Sequence, residues 1–295
     1  MRSRSDPFHE LLGVPHVDNT ELERRWSNVL KISEVPWLTG HTLQAGNDSM
    51  AFEAAKSIIG NRPIKLIELR DLVIRKAISF RGESDPAAET LVTLTDITPS
   101  KSSLKSRAAK FSVYSAAIKS APDLEVNASV TNVIFGEPSM SVLPPIQLDD
   151  SNMTETDSKR FYTSLSTIGY EYSDSFRTMA NLKRKLNQAT ALIYSFDYGD
   201  ESERLMVHPT LLDVAFQSAI LAYSVPGDGR LWSLHVLPFF ECIRLNPEHC
   251  ATLPLYPVQL PVHAQLLAPE ANTVDSIWGN LDILRADEQH AMIQV

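Results

Sequence analysis

Cysteine is scarce in this chain of 295 residues: its two copies, Cys242 and Cys250, are too few for a disulfide framework and form no CxxC metal-binding pair. No apolar run is long enough to span a membrane. The N-terminal segment, residues 1–7, is polar and lacks the apolar core of a secretory signal. We therefore expect a cytoplasmic protein that is not attached to a membrane.

Basic residues are also in deficit. Lysine and arginine number 27 against 36 aspartates and glutamates, which gives a net charge of -9. Because phosphate binding needs a concentrated basic surface, nucleic acid is not an expected partner. A hydrophobic content of 43% with 21% charged residues is typical of a globular protein with a sizeable core, as one large domain or two fused units.

A polar, proline-containing stretch over residues 136–160 divides the chain into nearly equal halves. We predict an N-terminal domain over residues 1–140, a linker over 141–160 and a C-terminal domain over 161–295. Each half shows the same coarse order, one strongly apolar helix together with strand-like runs. This repeat of pattern predicts a duplicated α+β fold.

Apolar periodicity predicts one helix over Asp48–Ile59 and another over Pro209–Tyr223, where proline suits the first helical position. Alternating or β-branched runs predict strands in both halves. In the first half they are Ile64–Leu69, Leu72–Phe80, Glu89–Ile97 and Phe111–Ala117; in the second they are Leu192–Tyr198, Leu231–Val236, Glu241–Asn246, Val258–Leu267 and Ser276–Leu284.

One carboxylate, Asp213, lies inside the second predicted helix, where nearly all its neighbours are apolar. Its obvious local partner is Gln217, four residues later and on the same helical face. An isolated buried charge is costly, so such a carboxyl is usually paired or protonated. A carboxylic acid that stays protonated can donate its proton to a leaving group. A purely structural, hydrogen-bonded Asp213 is an equally open interpretation.

A histidine, His41, follows the segment Glu34–Gly40 and precedes the first predicted helix. Near a helix N-terminus the positive end of the dipole favours a neutral imidazole, which is a competent base. Taken alone, His41 is better explained by a structural role than by catalysis. The combination of one base and one acid, each beside the central helix of its own half, indicates an enzyme. His208, at the start of the second helix, is expected to cap or pack.

Motifs along nearly the full length resemble the dehydratase domain of fungal iterative polyketide synthases, of the highly reducing and the hybrid polyketide–nonribosomal peptide types. The block around Asp213 is the most specific of them. The motifs are His9-Glu-Leu-Leu-Gly13, Trp26-Ser-Asn-Val-Leu30, Glu34-Val-Pro-Trp-Leu-Thr-Gly-His41, Gly169-Tyr-Glu-Tyr-Ser-Asp-Ser-Phe176, His208-Pro-Thr-Leu-Leu-Asp213 with Gln217, and Asp228-Gly-Arg-Leu-Trp-Ser-Leu-His235.

The resemblance implies a double hot-dog fold, in which each half wraps an antiparallel sheet around a central helix, with one active site between the halves. His41 would remove the α-proton of a β-hydroxyacyl thioester, and Asp213 would protonate the departing hydroxyl while Gln217 holds its carboxyl. Tyr172 would hydrogen-bond the substrate, and His208 would support the site. The product is an α,β-unsaturated thioester and water, so the activity is that of a hydro-lyase.

The implied reaction needs no metal or redox cofactor, because the thioester acidifies the α-proton and acid catalysis handles the hydroxyl. The substrate would arrive on the phosphopantetheine arm of an acyl carrier protein. Pairing with a second copy as a homodimer stays open, as does the choice between an excised domain and a free-standing protein.

Two motifs depart from the family pattern. After its histidine the family has H-x-x-x-G-x-x-x-x-P, whereas here His41 is followed at once by the helix segment and the proline is absent. Where the family has Tyr-Gly-Pro-x-Phe, this chain has Ser173 and Asp174 after Tyr172. These changes leave two alternatives open. One is a repurposed enzyme that catalyses cyclisation, isomerisation or cycloaddition of a polyketide-derived small molecule, and the other is a non-catalytic domain that binds a carrier protein or synthase partner.

Overall fold

The computed structural model describes residues 8–35, 37, 46–59, 64–78, 87–100, 103–117, 125–136, 143, 146, 151–172, 174–197, 204–224, 230–267, 277–286 and 290–295. The chain divides into two compact units. The first comprises Met1–Met140 with Leu237–Ile243, and the second comprises Ser141–Val236 with Arg244–Val295. A short segment from the later part of the chain, Leu237–Ile243, thus belongs to the first unit.

The first unit is an antiparallel sheet with one helix packed on it. Its elements are β1 (Val14–Pro15), β2 (Arg24–Lys31), α1 (Gly46–Ile59), β3 (Leu66–Ile74), β4 (Ala87–Ser100), β5 (Ser103–Ala117), β6 (Glu125–Gly136) and the first residues of β10 (Phe239–Leu245). The strand order is β1-β2-β4-β5-β6-β3, and the helix α1 lies against β3, β4 and β6.

Helix α1 is buried on almost every side, which explains why its apolar stripe is so wide in the sequence. Its residues Met50, Ala51, Phe52, Ala54 and Ala55 are fully buried. The buried carboxylate on this helix, Glu53, accepts a hydrogen bond of 3.1 Å from His9 Nε2 and lies 3.4 Å from Lys56 Nζ. A charge on a buried helix is therefore compensated by two cationic or hydrogen-bonding side chains.

The two strands predicted over Ile64–Leu69 and Leu72–Phe80 are wrong as separate elements, because β3 runs without interruption from Leu66 to Ile74. Asp71 adopts a positive φ of 57° and drops out of the pairing with β6, while residues on both sides stay in register. The positive φ interrupts the extended backbone, and the buried apolar positions change from Ile67 and Leu69 before it to Leu72 and Ile74 after it. The sequence pattern therefore imitates a break between two strands.

The second unit repeats the arrangement. Its elements are β7 (Thr154–Thr156), α2 (Ser158–Thr167), β8 (Ala180–Lys185), β9 (Gln188–Tyr194), α3 (Pro209–Tyr223), α4 (Pro247–Ala251), β11 (Gln259–Leu266), β12 (Gly279–Leu284) and β13 (Ala291–Gln294). The strand order is β13-β12-β11-β9-β8-β7, and all neighbours are antiparallel. Helix α3 packs against β8, β9, β11 and β12.

The end of the predicted linker is wrong, because β7 and the start of α2 occupy residues 154–160. Asp157 is the reason: its carboxylate accepts a hydrogen bond of 2.7 Å from the backbone N–H of Arg160 and caps α2. Residues Phe161, Tyr162 and Leu165 then bury one face of this helix. Polar composition alone concealed a capped amphipathic helix.

The predicted strand Leu231–Val236 is also wrong. This segment does alternate between more exposed and less exposed residues, but it does not join a ladder. The Tyr170 hydroxyl instead bonds both backbone groups of His235, accepting from its N–H and donating to its C=O, each at 2.7 Å. A side chain thus takes the place of a neighbouring strand in bonding this backbone.

Among the described residues, no helix is long and apolar enough to cross a bilayer.

Candidate active site

Helix α3 presents Asp213 and Gln217 from the same face, one turn apart. His208 forms the N-cap and Pro209 occupies the first turn, so the start of the helix is fixed by the sequence. Most of the helix is buried, including Asp213 with 7% of its surface exposed and Gln217 with none. The predicted acid therefore lies in an environment of low polarity, on an element that is held on several sides.

The Gln217 amide makes three hydrogen bonds. Its Nε2 donates to Asp213 Oδ2 at 3.2 Å and to the backbone carbonyl of Phe176 at 2.9 Å. Its Oε1 accepts from the Tyr162 hydroxyl at 2.8 Å. Both amide hydrogens are thus used, so the amide nitrogen, and not its oxygen, faces the Asp213 carboxyl. The predicted partnership of Asp213 and Gln217 is present in the structure.

Tyr172, predicted to contact substrate, belongs to an aromatic cluster close to Asp213. Its ring stacks on that of Tyr170, with centroids 5.7 Å apart, and meets Tyr162 edge-on at 6.4 Å. Burial raises the pKa of the Tyr172 phenol, and the negative charge of Asp213 raises it further. The phenol therefore stays protonated at neutral pH and can donate a hydrogen bond.

His208 holds the start of α3. Its Nδ1 accepts a hydrogen bond of 3.2 Å from the backbone N–H of Thr210 and lies 2.7 Å from the Thr210 hydroxyl. The ring is stacked on Phe196, with the centroids 3.6 Å apart and the planes at 4°. Burial lowers the pKa of His208 to about 3, so the ring is neutral at physiological pH. Its contacts are those of a helix cap.

The predicted base, His41, lies outside the described residues, as do the shortened segment that follows it and Ser173. Asp174 begins a short 3₁₀ turn that ends at Phe176. This turn brings the Phe176 carbonyl to Gln217, so the altered motif after Tyr172 still delivers a hydrogen-bond acceptor to the site.

Sequence reasoning missed Tyr162 and Arg177. The Tyr162 ring is buried, burial raises the pKa of its hydroxyl, and the Arg177 guanidinium lies 5.0 Å from the ring centroid. The signal that could have found Tyr162 was the capping pattern at Asp157 followed by apolar residues at helical spacing. Across the part of the chain that the structure describes, no group of three His, Cys, Asp or Glu side chains is arranged to hold a metal.

The family model for the polyketide synthase dehydratase N-terminal domain matches residues 143–291, just over half of the chain. The chain belongs to this family. The matched region contains the whole cluster around Asp213, including Tyr162, Tyr172 and Gln217. Membership in the family confirms the resemblance on which the site residues were predicted.

Curated relatives are fungal synthetases. The chain is 43% identical over 303 residues to the hybrid PKS-NRPS synthetase traA of Penicillium crustosum and 38% identical over 307 residues to the hybrid PKS-NRPS synthetase thnA of Trichoderma harzianum. Both alignments cover 100% of this chain but only 8% and 7% of those proteins. The chain therefore corresponds to a small fraction of the length of each relative.

Solved structures share the fold. The dehydratase domain from the CurF module of the curacin polyketide synthase matches with a TM-score of 0.75 at 16% identity, covering 98% of this chain and 96% of that one. The dehydratase domain of RzxB from Pseudomonas fluorescens matches with a TM-score of 0.71 at 18% identity, covering 97% and 96%. The predicted α+β double hot-dog fold is confirmed.

Proposed function

We propose that the chain is a hydro-lyase that dehydrates a β-hydroxyacyl thioester to the α,β-unsaturated thioester. The observation that carries the proposal is the buried Asp213 carboxyl, held by the Gln217 amide on α3 in a member of the polyketide synthase dehydratase family. The proposed substrate is an acyl chain on the phosphopantetheine arm of an acyl carrier protein. This agrees with the curated relatives, which are hybrid PKS-NRPS synthetases.

Asp213 acts as the general acid. Burial disfavours the charged form of a carboxyl, so a neutral acid that can protonate a leaving hydroxyl suits this position. Gln217 donates to Oδ2, which is compatible with the transferable proton on Oδ1. Proton transfer from a positioned acid typically contributes about 10²- to 10⁴-fold to the rate.

His41 is the proposed base, on the strength of the family resemblance. It takes the proton from the α-carbon, and the electrons of that C–H bond form the new double bond between the α- and β-carbons. The bond from the β-carbon to oxygen breaks, and the hydroxyl leaves as water with the proton from Asp213. His41 takes up one proton and Asp213 gives one. No electrons are gained or lost overall, so the step requires no intrinsic cofactor.

Tyr172 is proposed to donate a hydrogen bond to the bound substrate. Its phenol is kept protonated by burial. A donor that cannot ionise near neutral pH can stabilise an oxygen atom of the substrate without competing for the transferred proton. His208 supports the site indirectly, because it caps the helix that carries Asp213 and Gln217.

The test is turnover of a short β-hydroxyacyl pantetheine thioester, followed by mass spectrometry. The wild-type chain should convert it to a product lighter by one water, and His41→Ala and Asp213→Asn should abolish the conversion. Asp157→Asn is a matched control, because asparagine caps a helix as well as aspartate does. A folded wild-type chain that converts neither this substrate nor its carrier-bound form would refute the proposal.

A further inference from the structure

Tyr162 is set apart from the other tyrosines of the cluster by a direct bond to the Gln217 amide. Its hydroxyl donates to Gln217 Oε1 at 2.8 Å, and both side chains are buried. No apolar contact could substitute for this bond without leaving the amide oxygen unsatisfied, and a buried unsatisfied acceptor is destabilising. The bond joins α2 to α3 across 55 residues of sequence.

The amide of Gln217 has two orientations, and its neighbours favour one of them. As it stands, the nitrogen faces two acceptors, the Phe176 carbonyl and Asp213 Oδ2, while the oxygen faces a donor. If the amide were reversed, its oxygen would face both acceptors and its nitrogen would face the Tyr162 hydroxyl. Such an arrangement loses all three bonds unless the partners reorganise.

The position of the Tyr162 hydroxyl is itself fixed. It accepts a hydrogen bond from the Met179 backbone N–H at 3.4 Å, and the Ser158 hydroxyl donates to the Met179 carbonyl at 2.8 Å. Helix α2 is thereby attached at two points to the residue that precedes β8. Because the hydroxyl already accepts from Met179, its own hydrogen is directed to Gln217.

We propose that Tyr162 is a positioning residue for the dehydration, which sets the orientation of the Gln217 amide and so presents an N–H to the Asp213 carboxyl. The proposal rests on the proposed function for its effect on rate. In this proposal Tyr162 acts only through Gln217 and does not contact the substrate. The elements involved all belong to the second unit and to described residues.

Tyr162→Phe removes the hydroxyl and keeps the ring under Arg177. We expect kcat to fall about 10-fold or more and KM to stay within about twofold, since the acid and not the binding surface is disturbed. Tyr170→Phe is the matched control, because it removes a hydroxyl of the same cluster whose partners within the described residues are the backbone groups of His235. It should keep wild-type kcat.

A double-mutant cycle separates positioning from general structural support. In a Gln217→Leu background, Tyr162→Phe should have no further effect on kcat, because its only route to Asp213 is gone. Thermal unfolding of all four proteins shows that each is folded. If the losses from the two substitutions multiply, Tyr162 acts independently of Gln217 and the proposal is overturned.

A measurement without substrate keeps this inference distinct from the proposed function. In the folded wild-type chain, the two side-chain N–H resonances of Gln217, identified by their absence from Gln217→Leu, should be protected from exchange with water. Tyr162→Phe should speed that exchange about 10-fold or more, whereas Tyr170→Phe should not. Unchanged exchange in Tyr162→Phe would overturn the inference even if the enzyme is active. An inactive wild-type chain would refute the proposed function, but the exchange rates could still be measured and compared because they require no turnover.

Discussion

Gln217 lies one turn of α3 after Asp213, and its amide donates a hydrogen bond of 3.2 Å to Oδ2 of that carboxyl. The amide is held in turn by the Phe176 carbonyl and the Tyr162 hydroxyl. A buried acid is therefore attached to a fully bonded amide, which restrains its position without adding a charge beside it. This relationship is the structural basis of the proposed proton transfer.

The stability of Asp213 variants should depend on whether the Gln217 N–H keeps an acceptor. Asp213→Asn can still accept it through the amide oxygen, so we expect a change in unfolding free energy of no more than about 1 kcal/mol. Asp213→Leu leaves a buried N–H without its acceptor and should cost about 1–3 kcal/mol. Urea unfolding of both variants measures the difference. Equal stabilities would show that this bond contributes nothing.

Helix α3 should depend on its histidine cap. His208→Ala removes the bond to the Thr210 N–H and the stacking on Phe196, and we expect a loss of about 1–2 kcal/mol from the cap alone. His208→Asn restores a good cap and should recover part of the loss. Thermal unfolding compares the two. An alanine variant as stable as wild type would mean that the cap is not needed.

As the pH falls below 6.5, the free energy of unfolding of the chain should decrease. Burial lowers the pKa of His208 to about 3, below its value of 6.5 in a free side chain. Between these values the unfolded chain binds a proton that the folded chain does not, so acidification favours unfolding by up to about 1.4 kcal/mol per pH unit. This contribution is fully present above pH 6.5 and is lost as the pH falls toward 3.

Unfolding free energies measured from pH 7 to pH 4 in wild type and His208→Asn isolate that contribution, since the other titrating groups are shared. The wild-type curve should be steeper. Parallel curves would contradict the neutral, buried state of His208.

Gly13 should be the more sensitive of two glycines with positive φ. A Cβ at Gly13 would overlap the Ser27 carbonyl oxygen, whereas a Cβ at Gly169 would lie in ordinary contact with a Leu234 methyl at 3.7 Å. Both residues have positive φ, so both alanine variants pay the backbone strain of about 1–3 kcal/mol. Gly13→Ala should lose clearly more stability than Gly169→Ala by chemical unfolding. The reverse order would contradict the backbone arrangement at β1 and β2.

Local sequence pattern was sufficient for Asp213 and Gln217, because residues four apart on a helix share a face wherever the helix packs. The helix itself could be predicted, with Pro209 and Tyr223 as its ends, as could the duplicated α+β organisation. The base at His41 stays a prediction from the family resemblance.

Long-range contacts could not be predicted in the same way. Tyr162 reaches Gln217 only because α2 is attached to Met179 and lies against the second sheet, and no local pattern contains that information. The positive φ at Asp71 and the side-chain support of His235 by Tyr170 misled the strand prediction for a similar reason. In both cases a single residue altered the pairing that the alternation implied.

The proposed acid role is tested most directly by changing the leaving group. We would measure kcat/KM of wild type and Asp213→Asn on a β-hydroxyacyl thioester and on its β-acetoxy counterpart, whose leaving group departs without protonation. The loss in Asp213→Asn should be about 10²- to 10⁴-fold for the hydroxyl substrate and much smaller for the acetoxy substrate, while His41→Ala should be impaired on both. Equal losses of Asp213→Asn on the two substrates would contradict a role for Asp213 as the acid.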